Sequence, residues 1–158
     1  MCSVWLSISC FKGQIMSLSI KLKAILIAAA LTATSGLVFA EVVVVVSTKN
    51  AVGSLTADQV GDVFLGKITS LPGGASATPV DQAEGSALRD DFYNKVTGKS
   101  AAQMKAYWSK IIFTGKGQPP KEVADNAAVK KLVADSPSAI GYIDKSALDS
   151  SVKAVFSR

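Results

Sequence analysis

The chain is 158 residues long, with 17 Lys and Arg against 12 Asp and Glu, no His, and two cysteines, Cys2 and Cys10. Without histidine, Ser-His-Asp catalysis and the usual zinc sites are excluded, and beyond residue 10 so are disulfides and cysteine nucleophiles. The formal net charge of +5 is partly carried by Lys12, Lys21 and Lys23 near the start, so charge gives nucleic-acid binding little support.

Met16 opens MSLSIKLKAILIAAALTATSGLVFA, in which Lys21 and Lys23 form a basic n-region ahead of an apolar run from Ala24 to Leu31. Val38-Phe39-Ala40 then supplies small residues before Glu41. That is the pattern of a secretory signal peptide, and the apolar run is too short for a membrane span. The expectation is a leader and signal peptide over residues 1–40, with Met16 a candidate start. A single exported domain over residues 41–158, without a membrane span, follows in the periplasm. Cys10 lacks the preceding apolar run that a lipid-modified cysteine needs.

Glu41 to Val46 is a β-branched run without alternation, as expected of a strand covered on both faces. Ser47-Thr48-Lys49-Asn50 makes a polar loop after it. Thr56-x-x-Gln59 is a capping box for a helix with Val60, Val63 and Phe64 on one face, and Gly66 is placed to end it. Ile68 to Ala77, with Pro72-Gly73-Gly74, is a loop.

The stretch TPVDQAEGSALRDDF, residues 78–92, is where the chemistry concentrates. It predicts a strand from Thr78 to Gln82, a turn at Ala83-Glu84-Gly85, and a helix capped by Ser86. First-turn N–H groups left free, with the positive end of the helix dipole, form an anion site. Arg89 lies in that first turn, where a cation opposes the dipole unless Asp90, Asp91 or a bound anion faces it. Its removal is therefore expected to leave stability untouched or slightly raised. The same spacing equally fits a capped amphipathic helix with Leu88, Phe92, Tyr93 and Val96 turned to the core.

A second capping box, Ser100-x-x-Gln103, opens a helix with Met104, Tyr107, Trp108, Ile111 and Ile112 at core spacing. Tyr107 and Trp108 read as core or groove wall in preference to ligand stacking. Gly115 to Pro120 is a rigid, exposed connection, with Lys110, Lys116 and Lys121 a solvated face. Asn126 is expected to cap the next helix, which Pro137 ends. Ala139 to Ile143 is a short buried strand whose Gly141 suggests close backbone approach. Ser146 to Asp149 is a turn, and Val152 to Phe156 a last strand. The alternation of strands and helices predicts an α/β fold with a mostly parallel or mixed sheet flanked by helices. Ser150-x-x-Lys153 matches a Ser/Lys catalytic spacing, but it opens no helix and has no companion motif.

Three blocks in this order resemble a known family. They are Val63-Phe64-Leu65-Gly66-Lys67-Ile68, the strand–Gly85-Ser86–helix unit, and Ala139-Ile140-Gly141-Tyr142-Ile143, linked by AYWSKIIFTGKGQPP. Over roughly residues 54–144 the chain is similar to the substrate-binding proteins of phosphate ABC transporters. The resemblance implies a reduced, single-domain form of the type II periplasmic-binding-protein-like fold. The family carries an Arg and then Asp-Gly-Ser-Gly-Thr across the turn. This chain reads Gln82, Ala83, Glu84, Gly85, Ser86, Ala87, Leu88, with Arg89 one place later as a substitute cation. The family's glycine-rich loop after its first strand is absent, and Ser47 and Thr48 offer hydroxyls there instead.

What the resemblance implies is a periplasmic solute-binding module for phosphate or a similar small oxyanion, as the binding component of a transport or sensing system. Gly85, Ser86, Arg89, Ser47 and Thr48 are the expected ligand-binding residues. A membrane transporter or sensor is the expected partner, with no nucleic acid, cofactor, metal or catalytic residue. The alternative is an interaction or scaffold protein of the cell envelope on a degenerate binding-protein fold, docking onto a membrane or envelope partner through the face around Trp108 and the Lys116 to Lys121 loop. A hydrolase is the poorest fit, since only Asp81, Glu84, Asp90 and Asp91 are at hand for acid–base work.

Overall fold

The structure is a computed structural model that describes residues 41–158; the leader, its cysteines and the Met16 start lie outside the described residues. The elements in chain order are β1 (Val42–Ser47), α1 (Ala57–Phe64), β2 (Thr78–Gln82), α2 (Ala87–Thr97), α3 (Ala101–Phe113), β3 (Lys121–Val123), α4 (Asn126–Asp135), β4 (Ala139–Asp144) and β5 (Val152–Ser157). A turn of 3-10 helix, Lys145–Ala147, replaces part of the turn expected at Ser146 to Asp149.

The five strands form one mixed sheet in the order β3-β2-β4-β1-β5. Strand β2 runs parallel to β3 and β4, whereas β1 is antiparallel to β4 and β5. All of β1 is buried. Val42, Val44 and Val46 join a core with Phe64, Phe92 and Tyr142 under α1, α2 and α3, while Val43 and Val45 join a second core with Val129 and Val133 of α4. The unbroken valine run thus serves two helical layers, which is why it does not alternate.

The aromatic centre of the first core is tightly matched. The Phe92 and Tyr142 rings stack with centroids 3.9 Å apart, and Phe64 meets Phe92 edge-on at 4.8 Å. Such pairs contribute about 0.5–1.5 kcal/mol beyond their area burial. On the opposite face, a Cβ added to Gly141 of β4 would lie 2.5 Å from a Val129 methyl of α4. Glycine is what lets α4 settle onto the sheet, the close approach anticipated from the sequence.

Both capping boxes form, Thr56 with Gln59 and Ser100 with Gln103, and Gly66 follows the C-cap of α1 at φ 67°. Several assignments change. Ile112, expected on the core face of α3, is turned to solvent, and Ser47, expected in the loop, ends β1. Asp125, one residue before Asn126, caps α4 by accepting from the Ala128 N–H at 2.8 Å. Ser86 occupies the N-cap position of α2, but its side chain makes no capping bond. Strand β3 was unreadable in the sequence: three residues, mostly exposed, carry no periodicity. No helix among the described residues is long and apolar enough to cross a membrane.

Candidate functional site

Strand β2 lies between β3 and β4, and its second half, Val80, Asp81 and Gln82, is buried. A carboxylate in that position needs compensation, and Asp81 is only 1% exposed. One of its oxygens accepts from Arg89 Nε at 3.0 Å and from the Tyr93 hydroxyl at 2.8 Å. The other accepts from the Gln82 N–H at 2.9 Å and, through a short bond, from the Tyr142 hydroxyl. Arg89 and Tyr93 are one helical turn apart on α2 and reach the carboxylate from the same side. Arg89 also approaches Glu122 of β3, with Nη2 3.5 Å from the carboxylate, and its guanidinium lies 5.6 Å from the Tyr93 ring centre.

These contacts set the local electrostatics. Burial works against the Arg89 charge, and the Asp81 carboxylate more than offsets it, so the guanidinium pKa lies above its ordinary value. Burial, then the adjacent Asp81 charge, pushes the Tyr93 and Tyr142 hydroxyls far above the usual phenol range. The partner of Arg89 is therefore a strand carboxylate, and Asp90 and Asp91 do not supply it; Asp91 pairs with Lys95 at 2.8 Å.

After Gln82 the chain turns sharply. Ala83 N–H donates to Val123 O, Ser86 N–H donates to Ala83 O, and Gly85 takes φ 89°, a left-handed value suited to glycine. Instead of capping α2, the Ser86 hydroxyl donates to Gln82 Oε1 at 3.0 Å, and Gln82 Nε2 donates to Asn126 Oδ1 at 2.7 Å. Gln82 thereby ties the start of α2 to the start of α4. Among the described residues, no side chain caps the first-turn N–H groups of α2. The positive end of that helix is open at the turn.

Beside the turn lies a cleft of about 170 Å³, bounded by Glu84, Arg89, Lys105, Trp108, Ile112 and Pro119 among others. Glu84 and Lys105 pair across it at 3.3 Å. Trp108 is both core and cleft wall: it is 6% exposed, packs on Gly66, and has a buried indole N–H without a hydrogen-bond partner among the described residues.

The five expected ligand-binding residues do not converge. Gly85, Ser86 and Arg89 share the end of β2. Ser47 ends β1 and Thr48 follows it, and that strand runs the other way: Val46 and Pro79 both pair with Ile140, so Ser47 lies level with the start of β2. A strand length, roughly 15 Å, separates the two groups. Ser47 is itself buried, and its hydroxyl accepts from the Lys49 N–H.

No family model matches the chain. Solved structures do. A structure described as a phosphate ABC transporter substrate-binding protein with bound phosphate, from Clostridium perfringens, is 30% identical with a TM-score of 0.58, over 73% of this chain and 45% of that one. The chain resembles the phosphate ABC transporter substrate-binding proteins. An ABC-type phosphate transport receptor from Vibrio cholerae is 24% identical with a TM-score of 0.58, over 73% of this chain and 46% of that one. A third, from Borrelia burgdorferi, has 14% identity and a TM-score of 0.55, over 73% and 47%. The chain thus spans less than half the length of each of these three proteins.

Set against the substrate-binding-protein pattern, the departure at Gln82 has a visible consequence. Gln82, where the resemblance places the family's Arg, is a neutral amide that serves as a brace between two helices. Sequence reading passed over that brace and the roles of Asp81, Tyr93, Glu122 and Tyr142. The available signal was Asp81 itself, a carboxylate inside a strand, which calls for a cation and hydroxyl donors one turn apart on the following helix.

Proposed function

We propose that the chain is a non-enzymatic, periplasmic solute-binding module for phosphate or a similar small oxyanion, acting in transport or sensing. The observation that carries this is the uncapped start of α2 at the Gly85-Ser86 turn, in a fold shared with a structure described as holding phosphate. The ligand sits against the first-turn N–H groups, with Gly85 allowing close backbone approach. Binding through the Ser86 hydroxyl requires breaking its bond to Gln82. Arg89 contributes through Nη2, for which the ligand competes with Glu122. That contact is the weak one of the pair, since it is 3.5 Å long and the Glu122 side chain is 47% exposed. Ser47 and Thr48, at the opposite end of the strands, have no part in this proposed site.

The envelope scaffold is the second reading, favoured by Gln82 standing at the family's cation position and by the commitment of Arg89 to Asp81. Calorimetric titration with phosphate and with sulfate separates the two. Under the binding proposal heat of association is measurable at millimolar ligand, and Glu122→Gln strengthens it by about 2- to 5-fold by releasing Arg89. Absence of binding at that concentration leaves the scaffold.

A further inference from the structure

We infer that the C-terminal tip of α3 and the loop after it form a docking surface for an anionic lipid bilayer, with Phe113 entering the interface and Lys110, Lys116 and Lys121 meeting headgroup phosphates. Phe113 is 92% exposed and its neighbour Ile112 53% exposed. Isolated exposed apolar side chains are ordinary. What distinguishes this tip is its setting. Between Asp91 and Glu122 the sequence has six lysines and no acidic residue. Two of these lysines are committed elsewhere, Lys95 to Asp91 and Lys105 to Glu84, and Lys99 precedes α3; Lys110, Lys116 and Lys121 form no ion pair among the described residues.

The tip is also preformed. Thr114 N–H donates to Lys110 O, Gly115 N–H to Ile112 O and Lys116 N–H to Ile111 O, while Gly115 adopts φ 65°. The Thr114 hydroxyl adds a bond to Lys110 O at 2.8 Å. These bonds fold the loop back over the helix end and hold Phe113 outward, so docking orders little additional chain. Met104 and Trp108 anchor the rest of α3 in the core, which leaves the last turn projecting.

The chemistry of the patch selects the occupant. Protein interfaces are enriched in Arg and aromatic clusters and depleted in Lys. Here every cation from Lys110 to Lys121 is a lysine, and Phe113 is the one aromatic ring standing exposed at the tip. Lysines around an aromatic ring suit a charged headgroup layer, in which the ring sits at the acyl boundary. Ile112 also lines the cleft beside the Gly85-Ser86 turn, whereas Phe113, Lys110, Lys116 and Lys121 do not, and vesicle binding through them stands or falls independently of oxyanion binding.

The test is flotation of the full chain with phosphatidylcholine vesicles, with and without phosphatidylglycerol. The combined Lys110→Gln, Lys116→Gln and Lys121→Gln variant is expected to lose on the order of 100-fold in affinity for the anionic vesicles, and added salt to weaken the parent likewise. In Phe113→Trp, acyl-brominated lipids are expected to quench the added indole above the parent's own signal, in anionic vesicles alone. Vesicle binding that the lysine variant leaves unchanged would mean association through residues 1–40 and would overturn the inference. So would an unquenched Trp at position 113. Absence of vesicle binding together with Phe113-dependent crosslinking to an acidic protein would assign the tip to a protein partner instead.

Discussion

Removing the Arg89 side chain leaves Asp81 buried with two tyrosine hydroxyls and one backbone N–H but no countercharge. Breaking a buried pair in this way costs about 3–5 kcal/mol, so Arg89→Ala is expected to lower the urea unfolding free energy by that amount. A cation in the first turn of a helix suggests the opposite, a neutral or slightly stabilising change. The strand carboxylate outweighs the dipole term, which is only about 0.3–1 kcal/mol. A loss below about 1 kcal/mol would show that Asp81 manages without its partner. Ser86→Ala is expected to cost about 1 kcal/mol, the figure a lost cap also gives, but the cause is an unsatisfied Gln82 Oε1. The helix-start residue was legible because Ser at an N-cap is a local rule. Its actual partner is set by strand β2 lying under the turn, and local spacing carries no trace of that.

At the level of elements, the tightest fit is between α4 and β4. Gly141→Ala places a methyl 2.5 Å from a Val129 methyl, with Val133 a further neighbour at 3.4 Å. Overpacking of this kind costs about 1–3 kcal/mol, and thermal denaturation of Gly141→Ala should show it. Adding Val129→Ala makes room, so the double variant is expected to be more stable than the sum of the two single changes; strict additivity would mean that α4 simply shifts away. The helices were readable because their signals are local: capping boxes at Thr56 and Ser100, and core faces at the helical period. Strand β3 and the Asp125 cap escaped for a shared reason. Lys121–Val123 is a strand only because Val80, Asp81 and Gln82 offer it a parallel edge, and Asn126 yields the cap to Asp125 because its own side chain is bound to Gln82.

Across the whole molecule, the Asp81 cluster sets the response to alkali. An unfolded tyrosine loses its proton near 10.0, whereas the folded Tyr93 and Tyr142 keep theirs well beyond it, through burial and then the Asp81 charge. Above that value unfolding releases protons, so stability is full below pH 10.0 and falls as the pH climbs past it. Phenolate absorbance is the check: Tyr93 and Tyr142 should contribute none until the chain unfolds, and Tyr142→Phe should flatten the pH dependence. Early ionisation of both would place them in contact with solvent. The α/β class followed from alternating elements, and the two-faced burial of β1 from its valine run. Strand direction did not follow, because nothing within Val42–Ser47 encodes whether β4 passes it parallel or antiparallel. That single fact also separates Ser47 and Thr48 from the Gly85 turn.

The pairing of β1 with β5 has a mechanical consequence. Val42 and Arg158 exchange backbone hydrogen bonds of 3.1 and 3.0 Å, so the two ends of the described chain leave from one corner of the sheet. Force applied between those ends bears on the last rung of the ladder first and then on each rung in turn, as in opening a zip. Resistance is that of one rung at a time, never of the whole strand in shear. Because β5 is an edge strand, it would peel away under tension while β1 stayed clamped against β4, and the Asp81 cluster would feel the load last.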